Sequence, residues 1–415
     1  MNDPNGLVYD NGTWHMFFQY DPVSKSSGRR AWGHAVSGDL VHWKELGVAL
    51  MPGEYEMYSG SGAMDKPNTL GLNTPEHTAM LLAVSEYLNG MCIYYSTDGG
   101  NSFEKLGGRT LIPCAGAPDR DPKLFYWEEG RYWIMMFYAE LHARSGIPGY
   151  VFYRSANLTD WEYMSEAPSF YECPDMRLLP VEGSEEKKWA ILAGNTDTQA
   201  GDFDGKTFTP CGEKDKSLRV YNNYAPQTWN GAPGGRVIQE NWLTGPVDPD
   251  TEWTQQMAFP VELSLRKTEK GYKLLHRPVP EIEKLWKKTV TVTGAVLKPG
   301  ENTLFKNAAG KAFDLEYEYK YVPGAVLLVR TPCGVIEHPG FEPGVRYNNR
   351  WETCRLTDDG TMKVRILIDT NSIEIFGGMD EVYMCFTQKA ADAPFSFVSW
   401  GKELSVTSAS LRVIG

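Results

Sequence analysis

Three carboxylates stand in settings that could do chemistry. Asp3 lies in Asn2-Asp3-Pro4-Asn5-Gly6, Asp121 in Arg120-Asp121-Pro122, and Glu172 in Tyr171-Glu172-Cys173-Pro174. Proline fixes φ and Asn-Gly favours a tight turn, so the first motif can pin its carboxylate as a nucleophile requires. An Asp in such a turn can equally serve only to cap it. Arg120-Asp121 reads either as a surface charge pair or as charge at the mouth of the apolar run Leu124-Phe125-Tyr126-Trp127. Glu172, between an aromatic and a thiol, is either an edge-strand glutamate or a partly desolvated one. Desolvation favours the protonated form that a general acid needs.

Together the three acids can cleave a sugar–sugar bond. One attacks the anomeric carbon; a second protonates the leaving oxygen and later activates water. The third can hold sugar hydroxyls and stabilise an oxocarbenium-like state. Competing chemistries lack their signatures: there is no Ser-His-Asp arrangement, no P-loop and no G-x-G-x-x-G fingerprint. His15, His34 and His42 lack metal-ligand spacing, and His34 in Trp-Gly-His reads as a structural hydrogen-bonder. The seven cysteines (92, 114, 173, 211, 333, 354 and 385) show no C-x-x-C pair, so separate thiols are expected rather than a zinc site or a disulfide framework.

The elements that must bring residues 3, 121 and 172 together are strands. Short alternating runs bounded by Gly, Asn, Asp and Pro predict an all-β protein: Trp14–Tyr20, Thr78–Val84, Arg131–Tyr138 and Trp189–Ala193 are examples. A weak repeat recurs in the turns between such runs: Ser37, Asp39, Trp43; Ser96, Asp98, Phe103; Ser155, Asn157, Trp161; Asp202, Asp204, Phe208. The aromatic returns after 60, 58 and 47 residues. That period, with about four strands per repeat, predicts a β-propeller. Its innermost strands should fall near Asn2–Val8, Met57–Met64, Asp121–Phe125, Glu172–Leu179 and Val220–Gln227. The three acids would then open three innermost strands at one end of a narrow, five-bladed channel.

The character changes near residue 262. We expect a catalytic five-bladed propeller over 1–265, a linker over 266–288 with a short helix at Glu281–Lys288, and an antiparallel β-sandwich over 289–415. The sandwich strands are read as Phe313–Val322, Val326–Arg330, Lys363–Asp369, Ser372–Phe376 and Val382–Thr387. At 415 residues two domains are expected. The net charge of −12 argues against nucleic acid as a partner, and no apolar run is long enough to span a bilayer. No signal peptide is visible, and the compartment stays open.

The chain resembles glycoside hydrolase family 32, the invertase, inulinase and levanase family. The resemblance rests on MNDPNG at 1–6, QYDP at 19–22, WGHAVSGDLVHW at 32–43, YSGS at 58–61, RDPK at 120–123, YECPD at 171–175, GDFDGKTF at 201–208 and IDTNSIEIFG at 368–377. It implies a five-bladed propeller followed by a sandwich. It implies that Asp3 is the nucleophile, Glu172 the acid/base, and Asp121 the transition-state stabiliser acting with Arg120. It places Asn2, Gln19, Tyr58 and Ser59 at the sugar, and Cys173, Tyr224 and Trp242 around the same pocket. Family members are retaining and use neither metal nor cofactor; the expected partner is a fructose-containing oligo- or polysaccharide.

The chain departs from the family pattern at four places. Ser27-Gly28 replaces Trp-Gly, Leu218-Arg219-Val220 replaces Asp-Tyr-Gly, and Pro260-Val261-Glu262-Leu263 replaces Pro-Arg-Glu-Leu. The strand and Trp that family chains carry before Asn-Asp-Pro are absent, by truncation or by divergence. A β-fructosidase is therefore the first reading. A fructosyltransferase or anhydride-forming enzyme using the same intermediate, and a sugar-binding protein without catalysis, are the alternatives.

Overall fold

Alternating apolar residues form strands when one face of each is covered, and this chain covers them sheet by sheet. The computed structural model describes residues 1–23, 29–116, 118–215, 222–245, 253–305 and 309–415. The chain divides into two units, Met1–Arg219 with Asn223–Leu274, and Val220–Asn222 with Leu275–Gly415.

The first unit is a succession of antiparallel sheets, each opened by one short strand and continued by its sequence neighbours. The opening strands are Pro4–Asp10, Met57–Met64, Arg120–Trp127, Asp175–Pro180 and Asn223–Thr228. Four of them start within a few residues of expectation. The fourth starts three residues after Glu172, because Glu172 and Cys173 both have φ of 42°. Two successive residues in that left-handed conformation interrupt the extended run ahead of Asp175. The fifth prediction lies partly outside the described residues, as do Ser27-Gly28 and Leu218-Arg219-Val220.

The repeated turn residues explain the period. Asp39 accepts the backbone N–H groups of Val41 and His42, Asp98 those of Asn101 and Ser102, Asn157 those of Thr159 and Asp160, and Asp204 those of Lys206 and Thr207. Each turn joins the third strand of its sheet to the fourth, so the side chain replaces backbone partners that the reversal leaves unpaired.

Opening strands are bonded to one another in a closed circuit. Asn5 Oδ1 accepts the Gly60 N–H, and Ser61 Oγ accepts the Leu124 N–H. Lys123 pairs with Asp175 at 2.8 Å, both fully buried, and Asp175 Oδ2 accepts the Thr228 N–H. Asn230 then donates to Leu7 O and accepts from the Tyr9 N–H, returning to the first sheet. Glycine is required at Gly60, where a Cβ would lie 2.0 Å from the Ala83 carbonyl oxygen.

The second unit carries two six-stranded sheets. One is ordered Trp286–Leu297, Leu404–Ile414, Ala312–Lys320, Thr361–Asp369, Ser372–Gly377, Val382–Thr387. The other runs Gly300–Asn302, Ser396–Trp400, Val326–Thr331, Gly334–His338, Gly344–Tyr347, Arg350–Thr353. One buried core draws Leu315, Ile366 and Ile375 from the first and Leu327, Val329 and Phe397 from the second. The stretch expected as a linker holds the strand Gly271–Pro278 and a single 3-10 turn, Pro280–Leu285. The helix expected at Glu281–Lys288 ends there, because the alternation of Val290 and Val292 already belongs to the strand beginning at Trp286.

Candidate active site

The first unit gathers its three suspect carboxylates at the leading ends of the opening strands. Asp3 immediately precedes the first strand, Asp121 is the second residue of the third, and Glu172 lies just ahead of the fourth. Their side chains are aimed by irregular backbone. Register shifts fall at Asn5/Val8, Met57/Gly60, Arg120/Lys123 and Tyr224/Gln227, each beside the leading end of its strand. Gly6, Asp121, Glu172, Cys173 and Ala225 all have positive φ. A bulge turns a side chain out of the strict alternation of a strand, and held strain of this kind collects at functional sites.

Asp3 Oδ2 accepts a 2.5 Å hydrogen bond from Ser59 and a 3.5 Å contact from the Cys173 thiol. The same thiol lies 3.5 Å from Asp121 Oδ2, which also accepts the Cys173 N–H at 3.0 Å. Cys173 therefore bridges two carboxylates. Burial raises the Asp3 carboxyl above the ordinary range; the bonds from Ser59 and Cys173 oppose this, and the Glu172 charge adds to it. Burial, with the Asp3 charge next, pushes Asp121 up to about 7. Burial and both charges hold the Cys173 thiol well above its usual value, so it stays a neutral donor.

Glu172 has different company from what its sequence neighbours suggested. Tyr171 turns away to meet the Tyr138 ring edge-on at 5.4 Å, and Cys173 serves the two aspartates. Glu172 Oε1 instead accepts from Arg120 Nη2 at 2.7 Å and Nε at 3.1 Å, while Oε2 accepts from the Tyr224 hydroxyl. Arg120 lies over the Tyr138 ring at 4.6 Å and also donates to Pro118 O. Trp242 packs edge-on against Tyr224 at 6.0 Å, its indole nitrogen buried without a hydrogen-bond partner among the described residues.

The remaining expected residues frame this core. The Asn2 N–H donates to Gln19 O, and the Gln19 N–H returns to Asp3 O, so both hold the Asp3 turn through backbone. Tyr58 stacks on Tyr87 at 4.8 Å, with Arg30 over its ring at 4.9 Å. Sequence reasoning missed Ser85, whose hydroxyl donates to Ser59 O and accepts the Asp121 N–H, so one side chain sets two site segments. It also missed Tyr150, whose hydroxyl donates to Glu172 O at 2.8 Å. Both sit in ordinary strands far along the chain from their partners, and no local pattern marks them. The charge balance is instructive: three carboxylates face one guanidinium, which favours a neutral, hydroxyl-rich ligand over an anion.

Chains of known activity share this sequence and fold. The chain is 31% identical over 431 residues to a levanase of Bacillus subtilis (strain 168), covering 91% of this chain and 63% of that protein. It is 28% identical to an extracellular exo-inulinase of Aspergillus niger, covering 92% and 86%. Among solved structures, the exo-inulinase of Aspergillus awamori superposes with a TM-score of 0.88 at 24% identity, over 100% of this chain and 96% of that one. The β-fructofuranosidase of Schwanniomyces occidentalis complexed with fructosyl-erythritol gives 0.86 at 23%, over 99% and 94%. Residues 1–278, which hold every side chain of the pocket, match the model of the glycosyl hydrolases family 32 N-terminal domain, and the chain belongs to that family.

Proposed function

We propose that this protein is a retaining β-fructofuranosidase that removes terminal fructosyl units from fructans or sucrose. The arrangement carrying this reading is Asp3 held by Ser59 and Cys173, with Asp121 on the other side of the thiol and Glu172 fixed by Arg120 and Tyr224. Asp3 attacks the anomeric carbon as the bond to the leaving oxygen breaks, and Glu172 gives that oxygen its proton. Water then loses a proton to Glu172 and displaces Asp3 from the fructosyl ester. Asp121, buried beside Asp3, accepts hydrogen bonds from sugar hydroxyls and balances the developing positive charge.

Glu172 accepts three hydrogen bonds here, the pattern of the carboxylate that receives a proton from water. For the first step it carries the proton on Oε2, and the Tyr224 hydroxyl turns from donor to acceptor. No metal or cofactor enters this scheme. The reading also arranges the five sheets of the first unit as propeller blades around the circuit of opening strands, and the last two sheets as a sandwich. The turn repeat, the bonds between successive opening strands and the shared core of the last two sheets support it.

Incubation with sucrose, inulin and levan, with products separated by chromatography, tests the proposal. Fructose should be released from at least one substrate. A folded protein that releases none would overturn it, and oligomers growing with substrate concentration would show transfer in place of hydrolysis.

A further inference from the structure

A cavity of about 300 Å³ opens in the first unit away from the carboxylates. Its walls come from residues farther along the segments whose leading ends build the active site: Met64, Phe125 and Met176 line it, whereas Ser59, Asp121 and Cys173 line the other. Three to five residues separate the members of each pair, or roughly 10–17 Å of extended chain. The volume lies at the lower edge of the range for small-molecule sites.

The lining is cationic. Lys66, Arg177 and Arg236 face it with one acid, Glu128. Arg236 is paired with Glu262 at 2.9 Å. Lys66 is exposed and makes no ion pair among the described residues; its charge acts on Asp10. Among the described residues Arg177 donates only to neutral oxygens, Thr228 Oγ1 at 2.7 Å and Trp229 O. Its one acidic neighbour, Asp175, is already committed to Lys123 and Thr228. Burial lowers the affinity of the Arg177 guanidinium for its proton. The buried set of Lys123, Asp175 and Arg177 thus holds two cations and one anion. Trp189, half-buried, supplies a flat apolar wall of the kind that stacks on ring C–H faces, whereas Trp229 is buried against Trp14 and Trp43.

We infer that this cavity binds a small organic anion, a phosphate or carboxylate head carried on a ring the size of one sugar. The head would meet Arg177 and Lys66, and the ring the Trp189 indole. The pocket at the carboxylates, with its excess of negative charge, has the opposite preference.

Calorimetric titration of the full chain with fructose 6-phosphate, glucuronate, inorganic phosphate and fructose tests this. Fructose 6-phosphate, glucuronate or both should bind, separating phosphate from carboxylate. Lys66→Glu, a change on an exposed side chain, should weaken that binding at least tenfold, while Asp3→Ala leaves it unchanged. Absence of binding by both ring anions would overturn the assignment. So would binding that Lys66→Glu leaves intact, binding lost with Asp3→Ala, or inorganic phosphate binding as tightly as the sugar phosphate.

Discussion

Replacing Asp121 by asparagine separates the use of a buried carboxylate from its cost. Burial and the Asp3 charge raise its folded-state value from 3.8 to about 7. A carboxyl group raised in this way holds its proton more tightly folded than unfolded. Its favourable contribution is present below the unfolded value and is lost as pH rises through the folded one. From pH 5 to pH 7 that amounts to about 3 kcal/mol at 1.4 kcal/mol per pH unit, a ceiling because part of the shift comes from the neighbouring Asp3 charge. Asparagine removes the ionisation, tolerates the φ of 63° and keeps an oxygen for the Cys173 N–H. The expected outcome is a rise in thermal midpoint that is several degrees larger at pH 8 than at pH 5. Activity should fall about 10²–10³-fold with the loss of the charge that faces the transition state. Thermal unfolding at both pH values and initial rates on sucrose read the two effects. An equal gain at both pH values, or a loss at pH 8, would refute the electrostatic account.

Further outcomes follow from the same geometry. Asp3→Ala should lower turnover by about 10⁴-fold or more while leaving the thermal midpoint within a few degrees, checked by rates and unfolding on one preparation. Wild-type activity should fail on the acid side at a higher pH than an ordinary aspartate would give, because burial raises Asp3; a pH profile of kcat/KM reads the limb. His15 and His34, 3.1 Å apart and buried, are lowered from 6.5 to about 4 and about 3. Their neutral forms stabilise the fold fully above pH 6.5, and that support is lost as pH falls toward 4. His15→Gln should flatten the acid side of a stability–pH curve. Tyr224→Phe removes the hydroxyl at Glu172 Oε2 and should reduce kcat about 10-fold or more with a smaller change in KM. Gly60→Ala forces a methyl into the Ala83 carbonyl and should cost about 3 kcal/mol or more by denaturant unfolding.

The strands and their turns were legible because both leave local marks. The turn repeat places Met57–Met64 and alternation places Val382–Thr387, and the Asx turns at Asp39, Asp98, Asn157 and Asp204 repeat with the sheets. Asp3, Asp121 and Glu172 were legible as residues but not as environments. The expectation for Glu172 drew on Tyr171 and Cys173, its neighbours in sequence. In space its partners are Arg120 and Tyr224, each 52 residues away. The bulges at the strand ends left no trace in sequence, since a register shift depends on how two strands pair and not on either alone. Ser85 and Tyr150 stayed hidden for the same reason.

The closed circuit of opening strands also bears on how the protein acquires activity. Within a sheet of the first unit, strands pair mostly with their neighbours in sequence, so these sheets are built from local contacts that form early and cheaply in loop entropy. The contact of Cys173 with Asp3 spans 170 residues, and the bonds of Asn230 to Leu7 and Tyr9 span more than 200. Asp3 and Asp121 meet only when those distant pairings close. Catalytic competence is thus the last property gained on folding and the first lost on loosening, while most of the strand content can persist on either side of that event.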